Sequence, residues 1–271
     1  MTALSQAPEA AATTAPRTLN RIRSGRPGAP LVVLVHAVGL DLTYWDRQVP
    51  ALADGFDVVA YDLAGHGASS PPDLPLTFDA AAGDLARVIE EAQAGPACVV
   101  GLSVGGMIAQ TLALARPDLV RALCLLDTVS TFAEAGRAAV RGRGAAVRQG
   151  GMEAILKPTL ERWFTPAFAA RRPDVLDRVT KTLLAADAPV HAAMWDMIAT
   201  LDVALRLGEI DRPTLVMVGA LDPTTPPAAS QVIAKGIAGA RLEIIPDASH
   251  MAPIEAPEVV NAHLLSFLGT V

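Results

Sequence analysis

The chain has 271 residues, a formal net charge of −6 and a hydrophobic fraction of 51%. This length suits one large α/β domain with an insertion, and the hydrophobic fraction is sufficient for a sizeable core. An acidic chain offers no basic surface to nucleic acid or to an anionic membrane, so we expect neither as a partner. No apolar run is long enough to span a bilayer, and we expect a soluble, cytoplasmic protein.

The N-terminal part is predicted to be a flexible tail followed by the first half of the domain. Residues 1–16 are rich in Ala, Thr and Pro, and they lack the basic start and apolar core of a signal peptide. The domain is expected to comprise residues 17–128 and 208–271. Its first clear strand, residues 31–35, ends in the loop His36-Ala37-Val38-Gly39.

The most informative segment is Gly101-Leu102-Ser103-Val104-Gly105, which fits the pattern Gly-x-Ser-x-Gly. The apolar residues 97–100 precede it and a helix-like run, residues 107–115, follows it, so a strand–turn–helix elbow is predicted. Such a turn exposes the serine hydroxyl, and the flanking glycines allow a backbone approach that a Cβ would block. Ser103 is therefore a candidate nucleophile, and the N–H of Val104, at a helix N-terminus, is a candidate oxyanion donor. A glycine-rich turn with an incidental serine is the alternative.

The alternation of strands and helices stops after the next strand. Residues 122–126 form that strand, and Asp127 follows it. Residues 129–207 contain no clear strand and are typical of several short helices. Because this stretch lies between the two halves of the domain, we expect a helical cap that shapes the pocket and excludes water.

Three residues of the predicted cap are candidate substrate contacts: Arg162, Trp163 and Trp195. An arginine can bind a substrate carboxylate through two parallel hydrogen bonds. A solvent-exposed position is the alternative for Arg162, and a core position is the alternative for both tryptophans. The arginines at positions 137, 141, 143 and 148 are expected to form a solvent-exposed face.

The second half of the domain supplies an acid and then a base. Residues 213–219 form a predicted strand followed by Asp222, and residues 240–246 form another strand followed by His250. The carboxyl ends of parallel strands lie at one edge of a sheet, where ligands bind. Residues 256–268 close the chain as a predicted amphipathic helix.

Ser103, Asp222 and His250 form the predicted catalytic triad, because nucleophile, acid and base follow one another in this order in chains built on such an elbow. Asp127 is the rival acid, since it also follows a strand. The other histidines precede the elbow, lie in the predicted cap or lie in the final helix, and these positions disfavour them as the base. They are His36, His66, His191 and His263.

The sequence predicts an enzyme without a cofactor. Cys98 and Cys124 lie in predicted apolar strands and are expected to be buried and unpaired. No Cys/His cluster has the spacing of a zinc site, and neither a P-loop nor a dinucleotide-binding fingerprint is present.

The His36 loop, the segment at residues 61–69 and the elbow together resemble the α/β-hydrolase family. The resemblance implies a mostly parallel sheet covered on both faces, with an inserted helical cap. Family members commonly have His-Gly where this chain has His36-Ala37. Alignment with the family motif implies that the N–H of Val38 is the second oxyanion donor, beside that of Val104.

Within that family, the chain is most similar to 3-oxoadipate enol-lactonases and their relatives. The matching segments are residues 40–46, 101–110 and 162–168. This similarity runs over nearly the whole chain after the tail, and it implies hydrolysis of a carboxylate-bearing enol-lactone during aromatic-compound breakdown. Residues 36–38 and 127–130 depart from the lactonase pattern, so another small ester or lactone is an alternative substrate.

We therefore expect a serine hydrolase of a small ester or lactone that works through an acyl-enzyme. Three alternatives would use the same triad: a carboxylesterase or lactonase of different specificity, a carbon–carbon bond hydrolase, and a cofactor-free perhydrolase or haloperoxidase. A ligand-binding protein without catalysis is another. Dehalogenases and epoxide hydrolases need an aspartate at the elbow, and Ser103 excludes that chemistry.

Overall fold

The computed structural model describes residues 17–271, and the predicted tail, residues 1–16, lies outside them. The strands are β1 (Arg21–Gly25), β2 (Leu31–Val35), β3 (Asp57–Tyr61), β4 (Ala97–Leu102), β5 (Val120–Leu126), β6 (Thr214–Gly219) and β7 (Arg241–Ile245). They form one seven-stranded sheet in the order β1-β3-β2-β4-β5-β6-β7. β1 pairs with β3 in antiparallel orientation, and the other neighbouring pairs are parallel.

Helices flank this sheet and fill the long insertion after β5. They are α1 (Gln48–Ala53), α2 (Phe78–Ala92), α3 (Val104–Ala115), α4 (Glu134–Gly150), α5 (Glu153–Trp163), α6 (Pro166–Arg171), α7 (Pro173–Ala185), α8 (Ala188–Ile198), α9 (Pro227–Gly236), α10 (Ala252–Glu255) and α11 (Pro257–Leu268). The architecture confirms the predicted α/β fold with a mostly parallel sheet.

The central strands are apolar because both faces of the sheet are covered. Every residue of β2, β3 and β4 is buried, which is typical of parallel strands between two helical layers. β1, at the edge of the sheet, is exposed along its whole length. Its sequence therefore carries no apolar pattern that would predict a strand.

The order of the strands brings four polar residues to one edge of the sheet. Ser103 follows β4, Asp127 follows β5, Asp222 lies after β6 and His250 lies after β7. Because β4 to β7 are parallel neighbours, their carboxyl ends are adjacent, and the side chains that follow them can meet there.

Helices α4–α8 lie between β5 and β6, and we call these five helices the cap. Thr131 and Asp202 form an antiparallel bridge where the chain leaves and re-enters the sheet layer. Within the cap, α4 packs against α8, and the glycine at position 144 permits a close approach. A Cβ on Gly144 would lie 3.0 Å from the carbonyl oxygen of Ala192.

Candidate active site

Ser103 occupies a sharp turn between β4 and α3. Its φ of 54° and ψ of −115° are strained for a residue with a side chain. The turn is held by its backbone: Ser103 N–H donates to the Leu126 carbonyl at 2.9 Å, and its own carbonyl accepts the Thr128 hydroxyl at 2.7 Å. These contacts fix the hydroxyl of Ser103 at the edge of the sheet, as the elbow motif predicts.

The glycines of the elbow are required by close backbone contacts. A Cβ on Gly101 would lie 2.4 Å from the carbonyl oxygen of Gly105. A Cβ on Gly105 would lie 2.2 Å from the carbonyl oxygen of Val35 at the end of β2. Both distances are far inside van der Waals contact, so the helix that follows Ser103 can sit this close to the sheet only with glycine at these positions.

Ser103, His250 and Asp222 form a continuous hydrogen-bonded row. His250 Nε2 lies 3.0 Å from Ser103 Oγ, and His250 Nδ1 lies 2.8 Å from Asp222 Oδ2. All three are buried, with exposed fractions of 6% for Ser103, 2% for His250 and 3% for Asp222. Since a carboxylate only accepts, Nδ1 carries the proton and Nε2 is free to take the proton of the serine.

The carboxylate of Asp222 is held by its own loop. Oδ1 accepts the N–H groups of Thr224 at 2.7 Å and Thr225 at 3.0 Å, and Oδ2 accepts the Thr225 hydroxyl at 2.5 Å. Burial by itself would raise the pKa of Asp222, but the attraction of His250 and the hydrogen bonds from His250 and Thr225 outweigh burial and lower it. Sequence reasoning missed Thr225; its place three residues after a candidate acid, in a proline-bounded turn, is the signal that was available.

The loop that carries His250 is tied to the cap. Met251 N–H donates to the carbonyl of Trp163 at 3.2 Å, and the Ser249 hydroxyl donates to the carbonyl of Arg162 at 3.1 Å. The residues on both sides of His250 therefore bond to the last turn of α5. The position of the base depends on the position of the cap.

Asp127, the rival acid, makes different contacts. Its Oδ1 accepts Gly219 N–H at 2.8 Å and its Oδ2 accepts Ala252 N–H at 3.0 Å. Burial and then the nearby charge of Asp222 raise the pKa of Asp127 well above its usual range. Asp127 thus joins the end of β6 to the start of α10, and of the two carboxylates it is Asp222 that bonds to His250.

One predicted oxyanion donor, Val104, lies in the elbow itself, and the other, Val38, lies in the loop after β2. Val104 is the first residue of α3, so its N–H has no acceptor within the helix. Val38 is buried in the loop after β2. The contact between Gly105 and the end of β2 brings that loop against the elbow.

The remaining histidines have other surroundings. His36 Nε2 accepts the N–H of Leu63 at 2.9 Å, and the ring centres of His36 and His66 lie 5.3 Å apart. Burial lowers the pKa of His66 to about 3 and that of His191 to about 4, so both are neutral at pH 7. His263 lies in α11, and its Nδ1 is 3.9 Å from Oε2 of Glu243.

The three cap residues predicted to contact the substrate have different surroundings in the structure. Trp163 is 2% exposed and belongs to the core, whereas the guanidinium of Arg162 is partly buried and its Nε has no hydrogen-bond partner among residues 17–271. Trp195 is buried, its indole N–H also lacks a partner in that range, and the Arg143 guanidinium stacks over its ring at 4.8 Å. The expectation of a solvent-exposed arginine face is wrong for Arg137 and Arg143, which are partly buried where α4 packs on α8. Arg141 and Arg148 are exposed.

The two cysteines lie in the central strands β4 and β5. Cys98 and Cys124 are buried free thiols, as predicted. Within residues 17–271, no group of three His, Cys, Asp or Glu side chains is arranged to hold a metal ion. Each helix in that range is too short or too polar to cross a bilayer.

Comparisons with known proteins agree with the fold. Residues 30–257 match the family model described as the alpha/beta hydrolase fold. The 3-oxoadipate enol-lactonase 2 of Acinetobacter baylyi is 31% identical over 243 residues, which make up 90% of this chain and 90% of that protein.

Two solved structures resemble the chain over almost its whole length. The enol-lactonase from Burkholderia xenovorans LB400 is 30% identical with a TM-score of 0.89, over 93% of this chain and 97% of that one. A thermophilic esterase from Thermogutta terrifontis is 30% identical with a TM-score of 0.89, over 96% of each chain. These relatives share one fold and hydrolyse different substrates.

Proposed function

The chain belongs to the α/β-hydrolase family, and from that premise we propose that it hydrolyses a small ester or lactone with Ser103 as its nucleophile. The observation that carries the proposal is the row of hydrogen bonds from Ser103 Oγ through His250 to Asp222. A serine hydroxyl is a weak nucleophile unless a base is in hydrogen-bond contact with it. In this chain His250 meets that requirement, because its Nε2 lies 3.0 Å from Ser103 Oγ.

The first half of the reaction forms an acyl-enzyme. Ser103 Oγ attacks the acyl carbon while His250 Nε2 takes the serine proton, and Asp222 stabilises the resulting imidazolium. The N–H groups of Val38 and Val104 donate to the oxygen that becomes negatively charged. When the C–O bond breaks, His250 gives its proton to the leaving oxygen, which in a lactone stays attached to the acyl chain.

The second half releases the acid. A water molecule attacks the acyl carbon, and His250 takes one of its protons. Collapse of this second tetrahedral intermediate breaks the bond to Ser103 Oγ, and the serine recovers its proton from His250. Because the site is buried, electrostatic interactions with the developing charges are strong.

The relatives suggest which substrates to test first. The Acinetobacter and Burkholderia proteins are enol-lactonases, and the Thermogutta protein is an esterase. We infer that 3-oxoadipate enol-lactone is the first lactone to examine, with p-nitrophenyl butyrate as a simple ester. Rapid opening of the lactone supports a lactonase, and cleavage of the ester alone supports an esterase of different specificity.

The proposal is tested by removing the nucleophile. Ser103→Ala should lower kcat for either substrate by about 10⁴-fold or more. Ser230→Ala is the matched control, because Ser230 is also buried but lies in α9, and it should change kcat by less than twofold. A fluorophosphonate probe should label the native protein and not Ser103→Ala. Retention of more than a tenth of the native kcat in Ser103→Ala would refute the assignment.

A further inference from the structure

A partly buried carboxylate lies next to the catalytic loop and has no part in the proposed reaction. It belongs to Glu255, the last residue of α10. Its Oε1 accepts the N–H of Thr165 at 2.6 Å and the hydroxyl of Thr165 at 3.0 Å. Its Oε2 accepts the N–H of Ser249, the residue before His250. One side chain therefore joins the cap to the loop that carries the base.

The short helix that carries Glu255 is anchored to the core of the domain. At its start, the Ala252 N–H donates to Oδ2 of Asp127, which follows β5, at 3.0 Å. In its middle, the carbonyl of Pro253 accepts Nε2 of Gln48 in α1 at 3.1 Å. Both partners lie outside the cap. Glu255 thus extends from a fixed support toward two segments that come from other parts of the chain.

One of these segments is the start of α6 in the cap. Thr165 is the N-cap residue of that helix, and its Oγ also accepts the N–H of Phe168 at 3.2 Å. Thr165 is buried. Because Glu255 binds both the backbone and the hydroxyl of Thr165, a displacement of α6 must break or move these hydrogen bonds.

The other segment positions the base. Ser249 is buried, and its N–H has Glu255 as its acceptor. The next residue, His250, must keep Nε2 at 3.0 Å from Ser103 Oγ and Nδ1 at 2.8 Å from Asp222. A shift of about 1 Å is enough to lose such contacts and to lower the rate of the reaction by about 100-fold. The hydrogen bond from Ser249 to Glu255 therefore restrains the backbone where the reaction is most sensitive to position.

The donors around Glu255 replace the water that its carboxylate loses. Burial raises the pKa of Glu255, and the hydrogen bonds from Ser249 and Thr165 and the nearby charge of Arg171 oppose that effect. All three hydrogen bonds come from N–H or O–H groups, which bind an ionised carboxylate strongly. An amide of the same shape has one accepting oxygen, so it cannot accept from both segments at once.

We propose that Glu255 is a positioning residue for the catalytic base: through Ser249, it holds His250 in line with the nucleophile. Because the same carboxylate binds Thr165, the alignment of the base depends on the cap being in place. This inference rests on the proposed function, since it concerns the base of the same site. Glu255 acts through the backbone of Ser249 and exchanges no proton in the reaction.

The test replaces one accepting oxygen with a donating group. In Glu255→Gln the amide NH₂ faces either the Ser249 N–H or the two donors of Thr165, and in both orientations the bridge is broken. With p-nitrophenyl butyrate at 25 °C, kcat should fall by about 10- to 100-fold. KM should change by less than threefold, because the base and not the substrate is misplaced. The rate constant for labelling of Ser103 by a fluorophosphonate should fall by a similar factor, since that reaction needs the same alignment.

A matched variant separates positioning from a general effect of charge or stability. Glu258→Gln makes the same chemical change three residues further along, where the carboxylate is exposed and pairs with Arg47. It should leave kcat within twofold of the native value. Division of kcat by the number of fluorophosphonate-labelled sites removes any unfolded fraction. A lower Tm with a native kcat per site in Glu255→Gln would show a purely structural role and would overturn the proposal, as would an equal loss of kcat in Glu258→Gln.

Substitutions of Thr165 test the link to the cap. Thr165→Val removes the hydroxyl that donates to Glu255 and keeps the N–H, so kcat should fall by about 3- to 10-fold. Thr165→Ser keeps both donors and should retain the native kcat. Because Glu255→Gln already breaks the bridge, the double variant with Thr165→Val should lose no more kcat than Glu255→Gln alone. Losses that multiply would mean that the two residues act independently, and the link to the cap would be refuted.

The same measurements distinguish failure of this inference from failure of the proposed function. If hydrolysis is lost in Ser103→Ala but both hydrolysis and labelling are native in Glu255→Gln, the positioning role fails alone and the hydrolase assignment stands. If Ser103→Ala keeps the native kcat, the nucleophile has been assigned wrongly and both proposals fail. Loss of hydrolysis in Ser103→Ala together with the predicted loss of kcat in Glu255→Gln supports both.

Discussion

Replacement of Asp222 by asparagine should disable the base without dismantling the site. Oδ1 of Asp222 accepts two backbone N–H groups, from Thr224 and Thr225, so the amide oxygen of Asn must take that position. The amide NH₂ then takes the position of Oδ2, which lies 2.8 Å from His250 Nδ1. There it donates to Nδ1 and forces the histidine proton onto Nε2.

The relocated proton lies on the histidine nitrogen that faces Ser103 Oγ. A protonated Nε2, 3.0 Å from Ser103 Oγ, cannot accept the serine proton. We expect kcat to fall by about 10³- to 10⁴-fold, which corresponds to about 4 to 5 kcal/mol in the activation barrier. KM should change little, because Asp222 is 3% exposed and lies behind the histidine. Steady-state hydrolysis of p-nitrophenyl butyrate at pH 7.5 measures both constants.

Asp127→Asn is the control for this experiment, because it makes the same chemical change in the rival acid. Asp127 accepts one backbone N–H at each oxygen, and Asn can accept only one of them. The variant should lose about 1 to 3 kcal/mol in the free energy of unfolding, with a far smaller loss of kcat than Asp222→Asn. A native-like kcat in Asp222→Asn, or a larger loss in Asp127→Asn, would show that the acid has been assigned wrongly.

Two further predictions concern packing and pH. Gly105→Ala places a Cβ 2.2 Å from the Val35 carbonyl oxygen, so α3 and the sheet must move apart. We expect the free energy of unfolding to fall by about 3 kcal/mol or more. An unchanged Tm in calorimetry would contradict the close contact. Burial lowers the pKa of His191 to about 4, whereas an unfolded histidine has a pKa of about 6.5. Between these values the unfolded chain binds a proton that the folded protein excludes, so stability falls as the pH falls from 6.5 to 4, by up to about 3 kcal/mol. His191→Phe should flatten this dependence by about 1.4 kcal/mol per pH unit in urea unfolding, and an identical slope in both proteins would argue against a neutral buried His191.

The parts of the site that lie within short segments were predictable from sequence. Ser103 is marked by its glycines and by the apolar run before it, and Asp222 and His250 are marked by the strands that they follow. The parallel fold follows from the same buried runs, and it is confirmed. β1 was not predictable, because it is an exposed edge strand without an apolar pattern, and it is a strand only through its pairing with β3.

Other features depend on contacts between distant segments. The sequence presents the arginines of α4 as one polar group, and only the packing of α4 against α8 places Arg143 over Trp195. In the same way, two aspartates follow neighbouring strands, and only the loop geometry brings Asp222, rather than Asp127, to His250. Chain order and hydrophobic periodicity determined the buried strands and the polar residues that follow them. The tertiary structure decided which side chains meet, because those contacts join residues tens of positions apart and depend on how helices and loops pack, which local patterns do not record.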